Sequence, residues 1–349
     1  MIKPLFFITI LIIFMGGGIL IFQNGNYFTK TDNFNKSRQK LLAQLDTKSL
    51  NQVIIKSQNS VVKLLQLQGG GWQEQTLNYE ADINQIQALL VNISQIHMGD
   101  QVTDNPDHHE RFHLLTPPQK VSDWNENLHG FSISLLRGDE TSILSLLLGK
   151  ERSNGPGQYF RHAGSNNVFL IPERLSVDFQ AIDWLNKELL GFAPKQIKSL
   201  ELQQGEQSSF SISRKNAEAN WSSTSADLNV PDADSISKIL ERLGNLSFSK
   251  LQPKDYVYPE VEGTALAEFT LIVSLFKEQI YTLKLLNNLA PNGDYVLSLR
   301  MGISLQASAS AIVEDSKLRL EMDAFNQRVN GRFFEISSWE GQELIPGDQ

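Results

Sequence analysis

Apolar and polar positions follow one order twice along this chain. The first pass runs Val61-Val62-Lys63-Leu64-Leu65-Gln66-Leu67, then Gly69-Gly70-Gly71-Trp72, then a polar stretch into a helix opening at Asp82. In the second, Phe210-Ser211-Ile212-Ser213-Arg214 alternates like a strand, a polar turn leads to Trp221, and Asp232 or Asp234 opens a helix. The offset of about 150 residues is far longer than a solenoid period and predicts two copies of one small domain. Each pass predicts a hairpin: Val53-Ile54-Ile55 with Val61 to Leu67, and Ile197 to Leu202 with Phe210 to Arg214. In the first helix Ile83, Ile86, Leu89, Leu90, Ile93 and Ile96 share one face, with Asp82 and Gln85 at capping-box spacing. Setting Asp82 on Asp232 aligns Ile86 with Ile236, Leu89 with Ile239, Leu90 with Leu240 and Ile93 with Leu243.

After the helix each pass returns to strands. Phe131 to Leu135 and Ile143 to Leu148 flank a turn at Arg137 to Glu140, and Phe269 to Phe276 and Ile280 to Leu286 form the counterpart. Tyr159-Phe160-Arg161 and Val168 to Ile171 match Tyr295-Val296-Leu297 and Arg332 to Ile336, with extra chain near Met301 to Gln327 in the second copy. The predicted fold class is α+β, a tandem duplication of an antiparallel sheet plus helix behind one N-terminal transmembrane helix. The predicted divisions are an anchor at 1–24, a juxtamembrane linker at 25–45, a first repeat domain at 46–190 and a second at 191–349.

The anchor rests on 19 uncharged residues, Pro4 to Phe22. As a helix they reach roughly 28 Å, close to the roughly 30 Å of a bilayer's hydrocarbon core. A cleaved signal peptide fits less well, because Gly16 to Gly18 is followed by more apolar chain, Ile19 to Phe22, rather than a cleavage site. A net charge of −8, a pI near 5.4 and the lack of a basic stripe after residue 40 argue against nucleic acid as a partner. With no cysteine, disulfides, thiol catalysis, cysteine-ligated metal centres and a lipidated N-terminal cysteine are excluded.

The densest group of potential ligands is Asp107-His108-His109-Glu110-Arg111-Phe112-His113. His109 and His113 stand at i and i+4, a spacing that chelates zinc or copper on a helix. The segment lies in a Pro106 to Pro118 stretch, so it is read as a solvated loop; His108, His109 and His113 remain weak metal candidates, and no metal or cofactor is expected. Trp72 and Trp221 are each expected to cap a core rather than form a binding platform. The triple glycine lacks the Gly-Lys-Ser or Gly-Lys-Thr of a phosphate loop. The default role of Asp232-Ala233-Asp234 is a helix cap. No Gly-x-Ser-x-Gly elbow is present. Tyr159, Arg161, Tyr295 and Arg300 are read as exposed strand positions able to form a partner surface.

Leu42 to Asp46, the strand into Gly-Gly-Trp, the helix at Asp82, the strand end Leu148-Gly149, Tyr159-Phe160-Arg161 and Val168 to Ile171 together resemble a bacterial, membrane-anchored domain-of-unknown-function family (DUF4340-like). The resemblance covers roughly residues 41 to 250 directly and the rest through the repeat. Phe112 to Pro117 departs from it, standing where the family commonly has a Tyr-Gly-Leu-like turn before a proline. Such proteins often occur beside ABC-type transporter genes of the gliding-motility kind, and no catalytic residues carry over. The resemblance implies a single-pass protein of the bacterial inner membrane with its C-terminal domains on the periplasmic or outer side. The flanking charges point the other way, Lys3 against Lys30, Lys36, Arg38 and Lys40. The expectation is a non-enzymatic, membrane-tethered envelope protein that binds another envelope component as an accessory of an ABC-type transporter. The alternatives are an envelope hydrolase acting on glycan or peptide in a cleft between the repeats, and a binding module for a lipid or polymer.

Overall fold

The computed structural model describes residues 47–228, 230–252, 268–287, 293–303 and 312–346. The expected anchor and linker lie outside the described residues, among which no helix is long and apolar enough to cross a membrane. The fold is α+β, built from two antiparallel sheets.

The first sheet holds β1 (Gln52–Lys56), β2 (Val61–Gln66), β3 (Trp72–Glu74), β4 (Tyr79–Glu80), β5 (Gln101–Thr103), β6 (Phe131–Leu136), β7 (Ser142–Glu151), β8 (Gln158–His162) and β9 (Val168–Ile171). The second holds β10 (Ile197–Gln204), β11 (Gln207–Ser213), β12 (Ser222–Ser223), β13 (Lys250–Leu251), β14 (Glu268–Leu275), β15 (Gln279–Leu286), β16 (Tyr295–Ile303) and β17 (Phe334–Ile336). Their strand orders are β4-β3-β2-β1-β6-β7-β8-β9-β5 and β12-β11-β10-β14-β15-β16-β17-β13. Apart from β4 these orders coincide. The registers coincide as well: Val53 pairs with Leu64 and Leu135 in the first sheet as Leu200 pairs with Ile212 and Val273 in the second. Phe160 opposite Phe169 matches Leu297 opposite Phe334.

The helices explain why one face of each sheet is apolar. Helix α1 (Ile83–Gln95) buries Ile86, Leu89 and Ile93, and α2 (Ala233–Gly244) buries Ile236, Ile239 and Leu243, the aligned positions. Each set joins the inward residues of its own sheet in one core. Asp82 and Asp232 are the N-caps. Asp82 accepts from the Asn84 amide at 2.8 Å and Asp232 from the Ser235 amide at 2.7 Å, each satisfying one of the free N–H groups of a first turn. The expected stripe is shorter than its sequence spacing, since Ile83 is 43% exposed.

Two helices went unread in the sequence. Helix α3 (Ile312–Val329) fills the longer connection between β16 and β17 and lies along the sheet, where the Asn326 amide both accepts from the Met301 N–H and donates to the Met301 carbonyl, each at 2.9 Å. Helix α4 (Ser338–Leu344) is opened by a reciprocal cap between Ser337 and Glu340. It is held to α2 by Arg242, which reaches Glu340 at 3.2 Å and Glu343 at 2.8 Å.

The two cores are joined by chain rather than merely connected. The segment after β9 bridges Ala81 through Leu185 and Ser247 through Glu188, and the Leu189 amide donates to the Leu246 carbonyl at 3.0 Å. Tyr79 of the first sheet is buried in the core of the second.

Candidate functional site

While Tyr295 and Arg300 stand on β16 of the second sheet, the histidine segment, Tyr159 and Arg161 gather on the face of the first sheet opposite α1. Two 3-10 turns, Pro106–His108 and Glu110–Phe112, carry the chain over this face. Phe112, Leu114, Leu147 and Val168 form a small core beneath them, with the Tyr159 ring 4.6 Å from that of Phe112. Gly149 allows the approach: a Cβ there would stand 2.0 Å from the Phe112 carbonyl oxygen. This accounts physically for a glycine inside β7, which runs on to Glu151 instead of ending at Leu148-Gly149.

His109-Glu110-Arg111-Phe112-His113 carries the complete His-Glu-x-x-His string of a zinc protease, with the glutamate in place and not only the His109–His113 pair. That chemistry needs a continuous helix, which brings both imidazoles to one face, and the backbone here is not one. His113 sits in the left-handed region at φ +57°, ending the second turn. His109 is buried, not solvated as expected of the loop, and its Nε2 lies 3.0 Å from the Asn166 carbonyl. His108 faces outward with Nδ1 3.1 Å from the Thr103 hydroxyl. The three imidazoles therefore have separate surroundings. Among the described residues no group of three or more His, Asp or Glu side chains is placed to hold a metal ion.

Arg161 and Tyr295 were expected on an exposed surface, and both are buried. Arg161 lies under the 3-10 turns, donating from Nε to the Leu114 carbonyl at 2.8 Å, from a terminal nitrogen to the Ser165 carbonyl at 3.1 Å, and to the Thr116 hydroxyl at 3.1 Å. Burial pulls its pKa down from the usual guanidinium value. Tyr295 packs against α4, where a Cβ on Gly341 would lie 2.1 Å from its ring. Tyr159 is half-buried, and of the four candidates Arg300 alone is exposed.

The remaining candidates take structural places. Trp72 is 6% exposed in the first core, whereas Trp221 is half-buried at the edge of the second, with the Arg214 guanidinium 4.7 Å above its ring. Arg214 in turn donates to the Ile197, Ala217 and Pro194 carbonyls at 2.8, 2.8 and 2.7 Å. The glycine run closes the β2–β3 turn, with Gly70 at φ +89° and the Leu67 amide donating to the Gly71 carbonyl at 2.7 Å. Asp232 caps α2, and its bonds to Ser235 hold the carboxyl below its usual range. Burial lowers the pKa of His162, and burial followed by the nearby Lys150 lowers that of His113.

The profile of the family described as Domain of unknown function (DUF4340) matches residues 72–260, more than half of the chain. The chain belongs to this family. The DUF4340 match opens at Trp72 and takes in α1, the joining segment, α2 and β13, so it contains part of each sheet and the junction between them. No curated protein and no solved structure matched the chain.

Proposed function

We propose that this chain is a non-enzymatic envelope protein of the bacterial inner membrane, tethered by residues 4–22, whose tandem α+β repeats bind another envelope component on the periplasmic or outer side. The favoured partner is an ABC-type transporter subunit. One observation carries the reading: the buried cationic side chains Arg161, Arg214 and Arg332 hold backbone carbonyls of the protein's own loops. Their charge serves the scaffold, which suits a rigid body presented from a membrane. The shared strand order of the two sheets supports descent from one duplicated unit. Arg300, which is exposed, and Tyr159, which is half-buried, are the positions through which the partner is sought.

The hydrolase alternative needs a cleft between the repeats, and Tyr79, Leu185 and Leu189 are buried side chains at that junction. No observation favours that second reading.

The test joins fractionation to crosslinking. The full-length chain is expected in membranes until detergent is added, and deletion of residues 1–24 is expected to release a folded, soluble protein. A photoreactive residue at Tyr159 or Arg300 is expected to crosslink a transporter permease in intact cells. Recovery of the full-length chain without detergent would sink the tether, and crosslinks only to cell-wall polymer would replace the transporter reading with the polymer-binding one.

A further inference from the structure

The two residues of β4 carry a side chain across the boundary between the sheets. Tyr79 is 2% exposed, and although its backbone pairs with Glu74 of β3 its side chain belongs to the second core. Its ring meets Phe248 edge-on at 5.5 Å and Phe334 at 6.0 Å, both in the second core. From the second sheet's side Arg332, also buried, donates to the Leu77 carbonyl at 3.1 Å and to the Asn78 carbonyl, and its guanidinium lies 5.3 Å from the Tyr79 ring. Asn78 stands at φ +51°, so the turn that aims Tyr79 is held in a conformation uncommon for a residue other than glycine. Arg328 ties the flank, lying 3.7 Å from the Glu80 carboxylate and donating to the Leu189 carbonyl at 2.9 Å.

The contact has no second copy in the sequence. The alignment that sets Asp82 on Asp232 aligns Asn229 with Tyr79 in sequence, and the strand registers align Asn167 with Arg332. Key and socket are each present once. The Tyr79 hydroxyl has no hydrogen-bond partner among the described residues, so the ring and not its polar tip makes the contact.

We propose that the Leu77 to Glu80 turn is an interlock: Tyr79, seated in the second core and clamped by Arg332, makes the two repeats one cooperative folding unit, where a tandem pair would otherwise unfold piecewise. Native-state opening units commonly coincide with such substructures, so separate opening is the alternative to beat.

Hydrogen exchange of the full-length chain in detergent, read by mass spectrometry across a urea series, tests this. In the unaltered protein the slowest amides of β1 and β6 and those of β14 and β15 are expected to exchange together, with one urea midpoint. Tyr79→Ala should uncouple them, speeding the second sheet by about tenfold or more relative to the first, since a buried aromatic is lost from its core. Tyr79→Phe should preserve the common rate, because the ring is retained. Should Tyr79→Ala not fold, Arg332→Gln, which removes the clamp at similar size, is expected to part the two rates in the same sense. Distinct rates in the unaltered protein would overturn the proposal. So would equal acceleration of both sheets by these changes, since the joining segment would then couple them alone.

Discussion

Trp72 and Trp221 occupy the same place in the two sheets and are buried differently. Trp72 pairs with Gln66 at the end of the β2–β3 ladder, and Trp221 stands one residue before the Ser213–Ser222 pair, opposite Arg214. In the first sheet three glycines make a turn tight enough for the indole to fold under and close the core. In the second the connection is longer, and Arg214 both lies on the exposed indole face and anchors that loop through the Ala217 carbonyl. A shared strand pattern therefore fixes where an aromatic stands, and the turn beside it decides whether the ring closes the core alone or needs a cation as a lid.

The largest effect should come from Trp72→Ala, at about 3–5 kcal/mol, the range for truncating a buried aromatic. Trp221→Ala should cost less, about 1–2 kcal/mol, in keeping with the smaller apolar area it removes from water. Urea unfolding followed by circular dichroism measures both. Equal losses would show that the half-exposed ring matters as much as the buried one.

Two of the three buried guanidiniums, those of Arg161 and Arg214, offer the next comparison. Arg161→Ala strands the Leu114 and Ser165 carbonyls and opens the roof over Tyr159, while Arg214→Ala strands three carbonyls at a more exposed edge. Hydrogen bonds from a charged donor contribute about 1.5–3 kcal/mol, and a buried group left unsatisfied adds to the loss. Arg161→Ala is therefore expected near the top of that range and Arg214→Ala near its foot, by the same unfolding measurement. The reverse order would mean that the 3-10 turns hold themselves without Arg161.

The legible parts of this fold were those with a clean period. Alternation placed β1 and β2, and the three-and-four spacing placed α1 and α2, because each has one face on a core and a more open one opposite. Strand β7 was placed by its apolar run, although both its faces are covered at Leu146 to Gly149. Alternation misplaced Arg161 because the segment carrying the 3-10 turns covers the outer face of the first sheet at β7 to β9, so the polar side of β8 is also indoors there. The spacing of Leu318, Met322, Phe325 and Val329 could have revealed α3, but Leu320 at 70% exposure blurs its stripe. The His-Glu-x-x-His string could not disclose that its backbone turns twice instead of forming a helix. The role of Tyr79 left no local trace, since a two-residue strand has no period and its partners lie in the other sheet.

Replacing His108, His109 and His113 together by alanine should cost about 1 kcal/mol, the worth of the one buried bond from His109 to Asn166, and leave partner binding intact. Zinc should leave the melting temperature of the unaltered chain unchanged, since a metal bound only by the folded state would raise it. A zinc-dependent rise that disappears in the triple variant would restore the metal site.

The smallest effect expected is one of pH. Burial lowers the pKa of His162 and of His113 below the usual value of about 6.5, so in each case the unfolded chain takes up a proton more readily than the folded one. Stability then rises with pH wherever the unfolded state binds more protons. It should be intact above about pH 6.5 and fall as the pH drops from there toward the lower folded values, after which this contribution stops changing. His162 should dominate, being the more deeply buried, and its ring lies 6.1 Å from that of Phe160 in the first core. His162→Gln is therefore expected to flatten the dependence of the urea midpoint between pH 7.5 and 5.5, and His113→Gln to flatten it less. An unaltered slope in both variants would place the acid sensitivity on carboxylates instead, and would leave the first sheet no more pH-dependent than the second.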